Sequence, residues 1–370
     1  MDPIKTKLKY ISHSLKSYLS YLNSIIYNKS ISQEIVYIVE NANWSIACDG
    51  NEITKSINKM LKRDIIKVST KPYKFRNKII HFGSQYMWID WYKHLSKKNI
   101  YIVNFYHGKP EDGEDIKKHI DEFLKSVEYI HLIVTASTLV RTRLVSWGVP
   151  ESKLILIPIG VDRKIFKPIN HEKKLIIKKD LGFNNNTFLI GSFQKDGVGW
   201  GNGLMPKLIK GPDIFVKVLK ILSKKVDISV LLTGPARGYV ISKLKNYDIR
   251  YSHYYLSSQE EMARFYQALD LYLVTSREEG GPKGILESLS SGISVASTDV
   301  GMARDLIIDG ETGILFKNFD ENEIANKILK FIESNKKFNK NKMREKVKSA
   351  DWIEVGKKHW NILYKHWKNK

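Results

Sequence analysis

The chain has 370 residues, with 61 Lys and Arg against 39 Asp and Glu, which gives a formal net charge of +22 at neutral pH. This length exceeds the size at which one hydrophobic core usually keeps growing, so two domains of roughly 150 to 190 residues are expected. A hydrophobic content of 42% is enough for real cores, a single cysteine excludes an intramolecular disulfide framework, and no apolar run is long enough to predict a membrane span.

The positive charge requires a partner or another explanation, and nucleic acid, anionic membrane and anionic substrates are the physical candidates. Lysine supplies most of the charge, spread along the chain with many Ile and Asn residues, which biased coding composition would produce equally well. No zinc finger, helix-turn-helix or RNA-binding signature accompanies it, so nucleic acid is not expected as a partner and stays a minor alternative.

Cys48 has no metal-ligand spacing around it and is predicted to be a small buried side chain. The first 30 residues lack the uninterrupted apolar core of a signal peptide. We therefore expect a cytoplasmic protein, either soluble or at the inner face of the membrane.

Residues 4–28 predict a basic amphipathic helix. Its apolar residues recur every three or four positions, with lysines beside them: Leu8, Ile11, Leu15, Leu19, Leu22 and Ile26, and Lys5, Lys7, Lys9 and Lys16. Such a helix can lie on anionic lipid with its lysines at the headgroups, or it can dock its apolar face on the first domain. The pattern is compatible with both.

From Ile35 to about Pro168, short apolar runs alternate with polar helical stretches, and a second such series begins near Phe188. The predicted strands are 35–39, 65–68, 78–82, 100–105, 132–134 and 154–157, then 188 onward, 228–232, 250–254, 271–274, 294–296 and 313–316. This alternation predicts an α/β fold with two Rossmann-like, doubly wound domains. Residues 31–168 and 169–345 are the predicted domains, after the helix within residues 1–30, with a hinge near residues 162–170 and a C-terminal helix in 346–370.

The segment from Asp270 to Phe316 predicts a strand, a Gly-rich turn and a helix in succession. Glu279 lies in the turn, and Glu287 lies eight positions later, about two turns into the helix. Ligands of open α/β sheets bind at such strand ends. Gly280 and Gly281 allow the backbone to approach a ligand closely, so the two carboxylates can hold sugar hydroxyls from different directions. The two glutamates alone fit either a nucleotide-sugar site or a solvated face.

This segment resembles the family 4 glycosyltransferases, also called group 1 glycosyltransferases, whose C-terminal half carries Glu, seven residues and Glu before a small-residue helix. The stretch from Ile133 to Phe166 is similar to that family's interdomain segment, with six residues in the expected order: Ser137, Gly148, Pro158, Gly160, Asp162 and Phe166. The resemblance covers about residues 100–316. It implies the GT-B fold, in which two Rossmann-like domains face each other across a cleft and the last helix crosses back to the first domain.

The resemblance also implies roles for particular residues. Lys210 and Gly211 match the family's diphosphate-facing pair, and Lys195 stands near the position of a family arginine as a weaker substitute. The residues expected to hold the donor sugar and its ribose are Glu279, Gly280, Gly281, Pro282, Lys283 and Glu287. The pair of His107 and Gly108 follows a strand as in the family and places His107 beside the donor sugar. Asp49, Asn43 and Trp44 are candidates for contact with the acceptor.

Together these features predict a retaining glycosyltransferase that moves a sugar from a nucleotide-diphosphate sugar to a glycan or glycolipid acceptor in surface polysaccharide biosynthesis. The nucleotide sugar is a substrate, and no other cofactor is expected. No Asp-x-Asp triplet occurs, so we expect no metal and assign the leaving charge to lysines and backbone amides. A sugar-nucleotide epimerase of the same architecture and a non-catalytic binding or scaffolding protein of this fold are the alternatives.

Overall fold

The structure is a computed structural model that describes residues 3–27, 35–41, 45–334 and 338–368, with side chains of the first helix described from Leu8 to Ser20. Asn43 and Trp44 lie outside the described residues, and so do the side chains of four residues predicted in the first helix: Lys5, Lys7, Leu22 and Ile26. The chain divides into two compact units, Met1–Pro158 with Trp352–Lys370, and Ile159–Asp351. The linking segments 159–168 and 346–351 thus belong to the second unit.

Twelve strands and fifteen α-helices are found in the described part of the chain. The strands are β1 (Ile35–Ile38), β2 (Ile66–Ser69), β3 (Ile79–Phe82), β4 (Ile100–Asn104), β5 (Leu132–Thr135), β6 (Leu154–Leu156), β7 (Phe188–Ser192), β8 (Ile228–Thr233), β9 (Tyr251–Tyr254), β10 (Leu271–Val274), β11 (Ser294–Thr298) and β12 (Gly313–Phe316). The helices are α1 (Pro3–Tyr27), α2 (Ser45–Leu61), α3 (Gln85–Trp91), α4 (Glu114–Ser126), α5 (Thr138–Ser146), α6 (His171–Asp180), α7 (Pro212–Ser223), α8 (Gly238–Asn246), α9 (Gln259–Ala268), α10 (Lys283–Ser290), α11 (Ala303–Leu306), α12 (Glu321–Glu333), α13 (Lys340–Lys346), α14 (Trp352–Lys358) and α15 (Lys365–Lys368). A π-helical segment, His359–Tyr364, joins the last two.

The first unit contains a six-stranded parallel sheet in the order β2-β1-β3-β4-β5-β6. Every residue of β1 is buried, as expected for a parallel strand covered by helices on both faces. Helix starts follow local chemistry, since the Ser84 and Ser137 hydroxyls accept hydrogen bonds from backbone amides in the first turns of α3 and α5.

The C-terminal helices complete the core of the first unit. Trp352, Val355, Leu363 and Tyr364 are buried in one cluster with residues of β1 and α2. Helix α14 packs closely on α2, because a side chain at Gly356 would lie 2.7 Å from Cβ of Ser56. The buried aromatic residues of this tail, Trp352 and Tyr364, are therefore part of the core of the first unit.

Helix α1 contacts the first unit through its polar side. His13 is 8% exposed, stacks on Trp91 with ring centroids 3.6 Å apart, and its Nδ1 lies 3.0 Å from the Asp90 carbonyl oxygen. Ser14 and Ser17 hydrogen-bond to His94. The apolar stripe is left in solvent, with exposures of 50% to 61% at Leu8, Ile11, Leu15 and Leu19. The alternative in which this stripe docks on the domain is therefore wrong for the described side chains.

The second unit repeats the architecture with a parallel sheet in the order β12-β11-β10-β7-β8-β9. The chain leaves β7 toward β8 and β9, then returns to pair β10 on the other side of β7. The connections therefore diverge between β7 and β10, which opens a crevice at the carboxyl ends of these two strands.

Two further findings concern expectations from composition. Cys48 is exposed on α2, so its prediction as a buried side chain was wrong; its neighbours Ala47 and Asp49 take the inward positions of that turn. Within the described residues, no helix has the length and apolarity needed to cross a bilayer.

Candidate active site

The crevice between β7 and β10 is bordered by three loops of the second unit. One follows β10 and carries Glu279, and one precedes α7 and carries Lys210. The loops are tied together, since the backbone amide of Arg277 donates to the Ile209 carbonyl at 2.8 Å and the Arg277 guanidinium forms two hydrogen bonds, of 2.8 and 2.7 Å, with the Asp213 carboxylate. The third loop follows β7 and carries Lys195.

Lys210 and Glu279 form an ion pair between the loop before α7 and the loop after β10. The Lys210 Nζ lies 2.7 Å from both carboxylate oxygens of Glu279, although 69 residues separate the two in sequence. The Ser276 hydroxyl donates to the same carboxylate at 2.9 Å. The two side chains are 24% and 11% exposed, so the pair is shielded from bulk water but still reachable by a ligand.

Gly211 lets the lysine loop meet the β10 loop at backbone distance. It adopts a left-handed conformation with φ of 64°, and a side chain there would place Cβ 1.8 Å from the Thr275 carbonyl oxygen. Pro212 then begins α7, so the positive end of the helix dipole lies beside Lys210. This arrangement suits an anion.

The donor loop continues from Glu279 into α10. Pro282 is the residue immediately before α10 and Lys283 is the first helical residue. The backbone of Glu279 and Gly280 is closely packed, because a side chain at Gly301 would lie 2.9 Å from it. In the middle of α10, Glu287 accepts a hydrogen bond of 2.9 Å from the Tyr266 hydroxyl. The buried Tyr266 stays protonated, since burial and the nearby Glu287 carboxylate raise its pKa well above the usual value.

Two further lysines border the ion pair. Burial lowers the pKa of Lys207, the ammonium groups of Lys210 and Lys195 lower it further, and Glu279 opposes this effect. The Lys195 ammonium lies 3.6 Å from the ring centroid of Trp200. The charges of Lys210, Lys195 and Glu279 all act on Lys207, so three ammonium groups and one carboxylate leave this region with an excess of positive charge for an anionic ligand.

A buried arginine supports the loop after β7. The Arg237 guanidinium is 1% exposed, donates to the carbonyls of Ser192 at 2.9 Å and Gln194 at 2.5 Å, and lies 3.2 Å from the Asp196 carboxylate. Burial lowers the pKa of Arg237, and the Asp196 charge opposes that shift. Arg237 therefore fixes the backbone on both sides of Lys195.

Comparison with known proteins agrees with this geometry. Residues 206–350, which carry Lys207, Lys210, Glu279 and Glu287, match the family model described as glycosyl transferases group 1. This segment of the chain is therefore similar to the group 1 glycosyltransferases.

Individual relatives extend the likeness. The alpha-galactosylglucosyldiacylglycerol synthase of Streptococcus pneumoniae is 26% identical over 200 residues, which cover 53% of this chain and 50% of that protein. The lipopolysaccharide core biosynthesis mannosyltransferase LpsB of Rhizobium meliloti is 26% identical over 184 residues, covering 47% and 49%. The chain thus spans about half the length of the curated relatives it matches.

The structure of HepE from Anabaena, solved with UDP, matches with a TM-score of 0.72 at 16% identity, over 90% of this chain and 100% of that one. The predicted fold class of two Rossmann-like domains is confirmed.

The first unit of this glycosyltransferase-like chain holds the remaining predicted residue, His107, after β4. Its backbone carbonyl accepts a hydrogen bond of 3.0 Å from the Gln85 amide, and the next residue, Gly108, has φ of 114°. Of the ten predicted donor-site residues, His107 alone belongs to the first unit, while the other nine lie in the second unit, on loops that follow β7 and β10, at the start of α7 and along α10.

A buried polar network lies at the corresponding strand ends of the first unit. His81 contacts the Tyr364 hydroxyl and the Asn104 amide oxygen, each at 2.6 Å, and the Asn104 amide nitrogen donates to the hydroxyls of Tyr37 at 3.0 Å and Tyr106 at 2.9 Å. Burial lowers the pKa of His81 to about 3, with a further contribution from His359. The network is therefore neutral at physiological pH. Asp49, an acceptor candidate, is 5% exposed; burial raises the pKa of Tyr106, and the Asp49 charge raises it further.

Sequence reasoning missed Lys207, Arg237 and Arg277. Lys207 closes a Gly-rich insertion whose path the sequence does not reveal. Arg237 and Arg277 act through contacts with residues 41 and 64 positions away, Asp196 and Asp213, and such pairs leave no local signature. The one available signal was Arg277 itself, a charged residue within the Gly-rich turn after β10.

Proposed function

We propose that this protein is a glycosyltransferase that moves a sugar from a nucleotide-diphosphate sugar to a glycan or glycolipid acceptor in surface polysaccharide biosynthesis. The Lys210–Glu279 ion pair at the β7 and β10 crevice is the observation that carries the proposal, because it joins a phosphate-binding cation to a sugar-binding carboxylate. The likeness of residues 206–350 to group 1 glycosyltransferases supports the same reading.

The reaction requires negative charge to be stabilised on the departing diphosphate while positive charge develops at the anomeric carbon. In the proposed complex, Lys210, Lys195 and the N-terminus of α7 face the diphosphate. Glu279 accepts hydrogen bonds from sugar hydroxyls, Glu287 holds the ribose hydroxyls, and the backbone of Gly280 to Lys283 lines the sugar or phosphate.

A diphosphate entering this site competes with Glu279 for Lys210. Binding then releases the carboxylate toward the sugar hydroxyls, so one exchange of partners prepares both halves of the donor site. We also propose, from the resemblance, that His107 hydrogen-bonds to the donor sugar. We propose that the configuration of the anomeric carbon is retained and that the leaving phosphate takes the acceptor proton, as the resemblance to family 4 implies.

The nature of the acceptor is proposed from the relatives. One is named for synthesis of a diacylglycerol glycolipid and one for lipopolysaccharide core biosynthesis. A lipid-linked acceptor places the reaction at the inner face of the membrane.

The first test is a thermal-shift screen with nucleotides and nucleotide sugars in the presence of a chelator, since a ligand that binds only the folded state raises the unfolding midpoint. We expect a shift selective for one base, weakened in Glu287→Gln and retained in the matched control Glu260→Gln, whose side chain is exposed on α9. Sugar transfer in the same chelator then tests whether lysines suffice in place of a metal.

The alternatives give different results. Donor rearrangement without any acceptor would indicate an epimerase. Absence of a shift with every nucleotide, together with unchanged biological function in Glu279→Gln and Glu287→Gln, would indicate a scaffolding protein and overturn the proposal.

We also propose that α1 contacts an anionic membrane surface. Its serine and histidine side is used for docking on the first unit, its apolar stripe faces outward, and Lys16 lies exposed beside that stripe. A helix with lysines next to an exposed apolar stripe suits the headgroup region of a bilayer. Replacement of Ile11 and Leu15 by Ser should reduce sedimentation with phosphatidylglycerol vesicles, whereas Ile353→Ser, an equally exposed site on α14, should not. Equal sedimentation of all three proteins would reject this role.

A further inference from the structure

Exposed apolar side chains of the described residues are concentrated in two segments. Of 22 large hydrophobic side chains that are exposed, six lie on α1 and five lie between Val198 and Leu208, while the others are scattered. The second segment is the Gly-rich insertion of the second unit, beside the proposed donor site.

This insertion is an ordered hairpin over residues 197–206. Gly197 and Pro206 form an antiparallel bridge, and the amide of Val198 donates to the Met205 carbonyl at 2.9 Å. At its base the amide of Lys207 donates to the Asp196 carbonyl at 2.8 Å. The hairpin therefore continues directly from the Lys195 loop into the Lys210 loop.

The tip of the hairpin is fixed to the start of α8. The carbonyls of Asn202 and Gly203 accept hydrogen bonds from the amides of Gly238 at 2.7 Å and Tyr239 at 2.9 Å. Gly203 has φ of 68°, and a side chain there would lie 2.3 Å from the Ala236 carbonyl oxygen. Backbone groups thus hold the tip against the domain, while the apolar side chains of the segment stay at least half exposed.

Five large apolar side chains of residues 198–208 are named here the hairpin patch: Val198, Trp200, Leu204, Met205 and Leu208. They are 50% to 68% exposed. Large apolar side chains concentrated in one short segment and held in water by a hydrogen-bonded backbone are typical of an interaction site.

The charge around the hairpin patch indicates its partner. No Asp or Glu occurs between Gly197 and Pro212, and Lys207 lies at the base of the hairpin. Lys245 lines the groove that Leu204 and Tyr255 share beside α8. A patch with cationic surroundings and a tryptophan suits anionic lipid, where the ring sits at the headgroup level and the lysines meet phosphates. A second copy of the chain would bring the same positive surroundings against it.

We propose that the hairpin patch enters the headgroup and acyl boundary of an anionic bilayer, next to the donor site. This inference rests on the proposed function and deepens it, since it identifies a lipid surface as the partner of the donor-binding unit itself. A lipid-linked acceptor would then be met at the membrane beside the site.

The test is sedimentation of the whole protein with phosphatidylcholine vesicles, with and without phosphatidylglycerol. Leu204→Ser with Met205→Ser changes the two most exposed side chains of the patch and leaves Trp200, which contacts Lys195, in place. It should lower the fraction bound to the anionic vesicles about tenfold. The matched control, Ile176→Ser with Ile308→Ser, changes two scattered exposed side chains of the same unit and should bind as the unchanged protein does. Leu204→Met with Met205→Leu keeps the patch apolar and should also bind as the unchanged protein does.

Other outcomes overturn the inference. Equal binding by the patch variant and the control, or no binding by the unchanged protein, excludes lipid as the partner. A fall in oligomeric mass of the patch variant by light scattering, with lipid binding unaltered, would make the patch an interface between copies. Thermal shifts with nucleotides are measured on the same samples: their absence in every protein counts against the proposed function, whereas their retention with loss of lipid binding supports the patch.

Discussion

The side chains at the carboxyl ends of the strands differ in charge between the two sheets of this protein. At the carboxyl ends of β7 and β10 in the second unit, Lys210 pairs with Glu279, Lys207 lies within range of both charges, and α7 begins beside them. At the strand ends of the first unit, His81, Asn104 and three tyrosines form a buried, neutral network. The same architecture can thus carry charged side chains that are able to pair with a ligand, or buried neutral side chains whose hydrogen bonds are made within the protein.

The largest expected effect comes from breaking the charged edge. Lys210→Gln removes the cation between diphosphate and Glu279, and we expect sugar transfer to fall about 10² to 10³-fold, the usual cost of losing one charge-stabilising donor. Lys210→Arg should recover part of the rate because it keeps the charge. Initial rates with saturating donor give the measurement, and Lys217→Gln on the exposed side of α7 is the control. A Lys210→Gln enzyme with normal rates would mean that the edge does not act on the leaving group.

The next effect concerns the backbone that brings the charged loops together. Gly211→Ala should lower the free energy of unfolding by about 3 kcal/mol, because the new Cβ would collide with the Thr275 carbonyl. Gly182→Ala is the control, since Gly182 is also left-handed, with φ of 80°, but nothing lies within 4 Å of its added Cβ. There the cost should be about 1 kcal/mol. Urea titration of both variants distinguishes crowding from conformation, and equal costs would show that the close approach does not matter.

The buried histidines of the first unit should make the stability of the protein depend on pH. Burial lowers the pKa of His81 to about 3 and that of His359 to about 4, whereas both titrate near 6.5 when unfolded. Below pH 6.5 the unfolded chain binds protons that the folded chain does not, so stability falls as pH falls toward 4. Each histidine contributes up to about 1.4 kcal/mol per pH unit. Hydrogen exchange of β3 amides at pH 7 and 5 measures this, and His81→Gln should flatten the dependence. An unchanged slope in that variant would contradict a buried neutral His81.

The smallest expected effect comes from removing one hydroxyl from the same buried network. Tyr364→Phe removes the hydroxyl that lies 2.6 Å from the His81 Nδ1 and should cost about 1 to 2 kcal/mol, since a buried ring nitrogen loses its partner. Tyr129→Phe, at a side chain 46% exposed, should change stability by less than about 0.5 kcal/mol. Urea titration measures the free energy of unfolding of both variants. A loss at Tyr364 no larger than that at Tyr129 would show that the hydrogen bond to His81 does not stabilise the protein.

The strands were predictable because buried parallel strands are continuous apolar runs. β10 and β12 begin and end at the predicted residues. β11 extends two residues beyond its prediction, to Thr298, because Ser297 and Thr298 are buried with their hydroxyls hydrogen-bonded to backbone carbonyls, which hydropathy cannot reveal.

The site was predictable as residues but not as contacts. Glu279 and Lys210 carried family-like surroundings, yet their pairing joins positions 69 apart and depends on the packing of two loops. The orientation of α1 was equally hidden, since its docking side is recognisable only once Trp91 and His94 are known to lie beneath it.

The placement of residues 352–368 in the first unit has a consequence for how the protein is made. These residues leave the ribosome after the whole second unit, yet they supply Leu363 and Tyr364 to the first unit's core and a hydrogen bond to His81. Domains usually fold in order of synthesis. The second unit can therefore fold before the first, because the core of the first unit stays incomplete until residues 352–368 have been synthesised. During translation, the residues of the first unit should remain incompletely folded for the longest time.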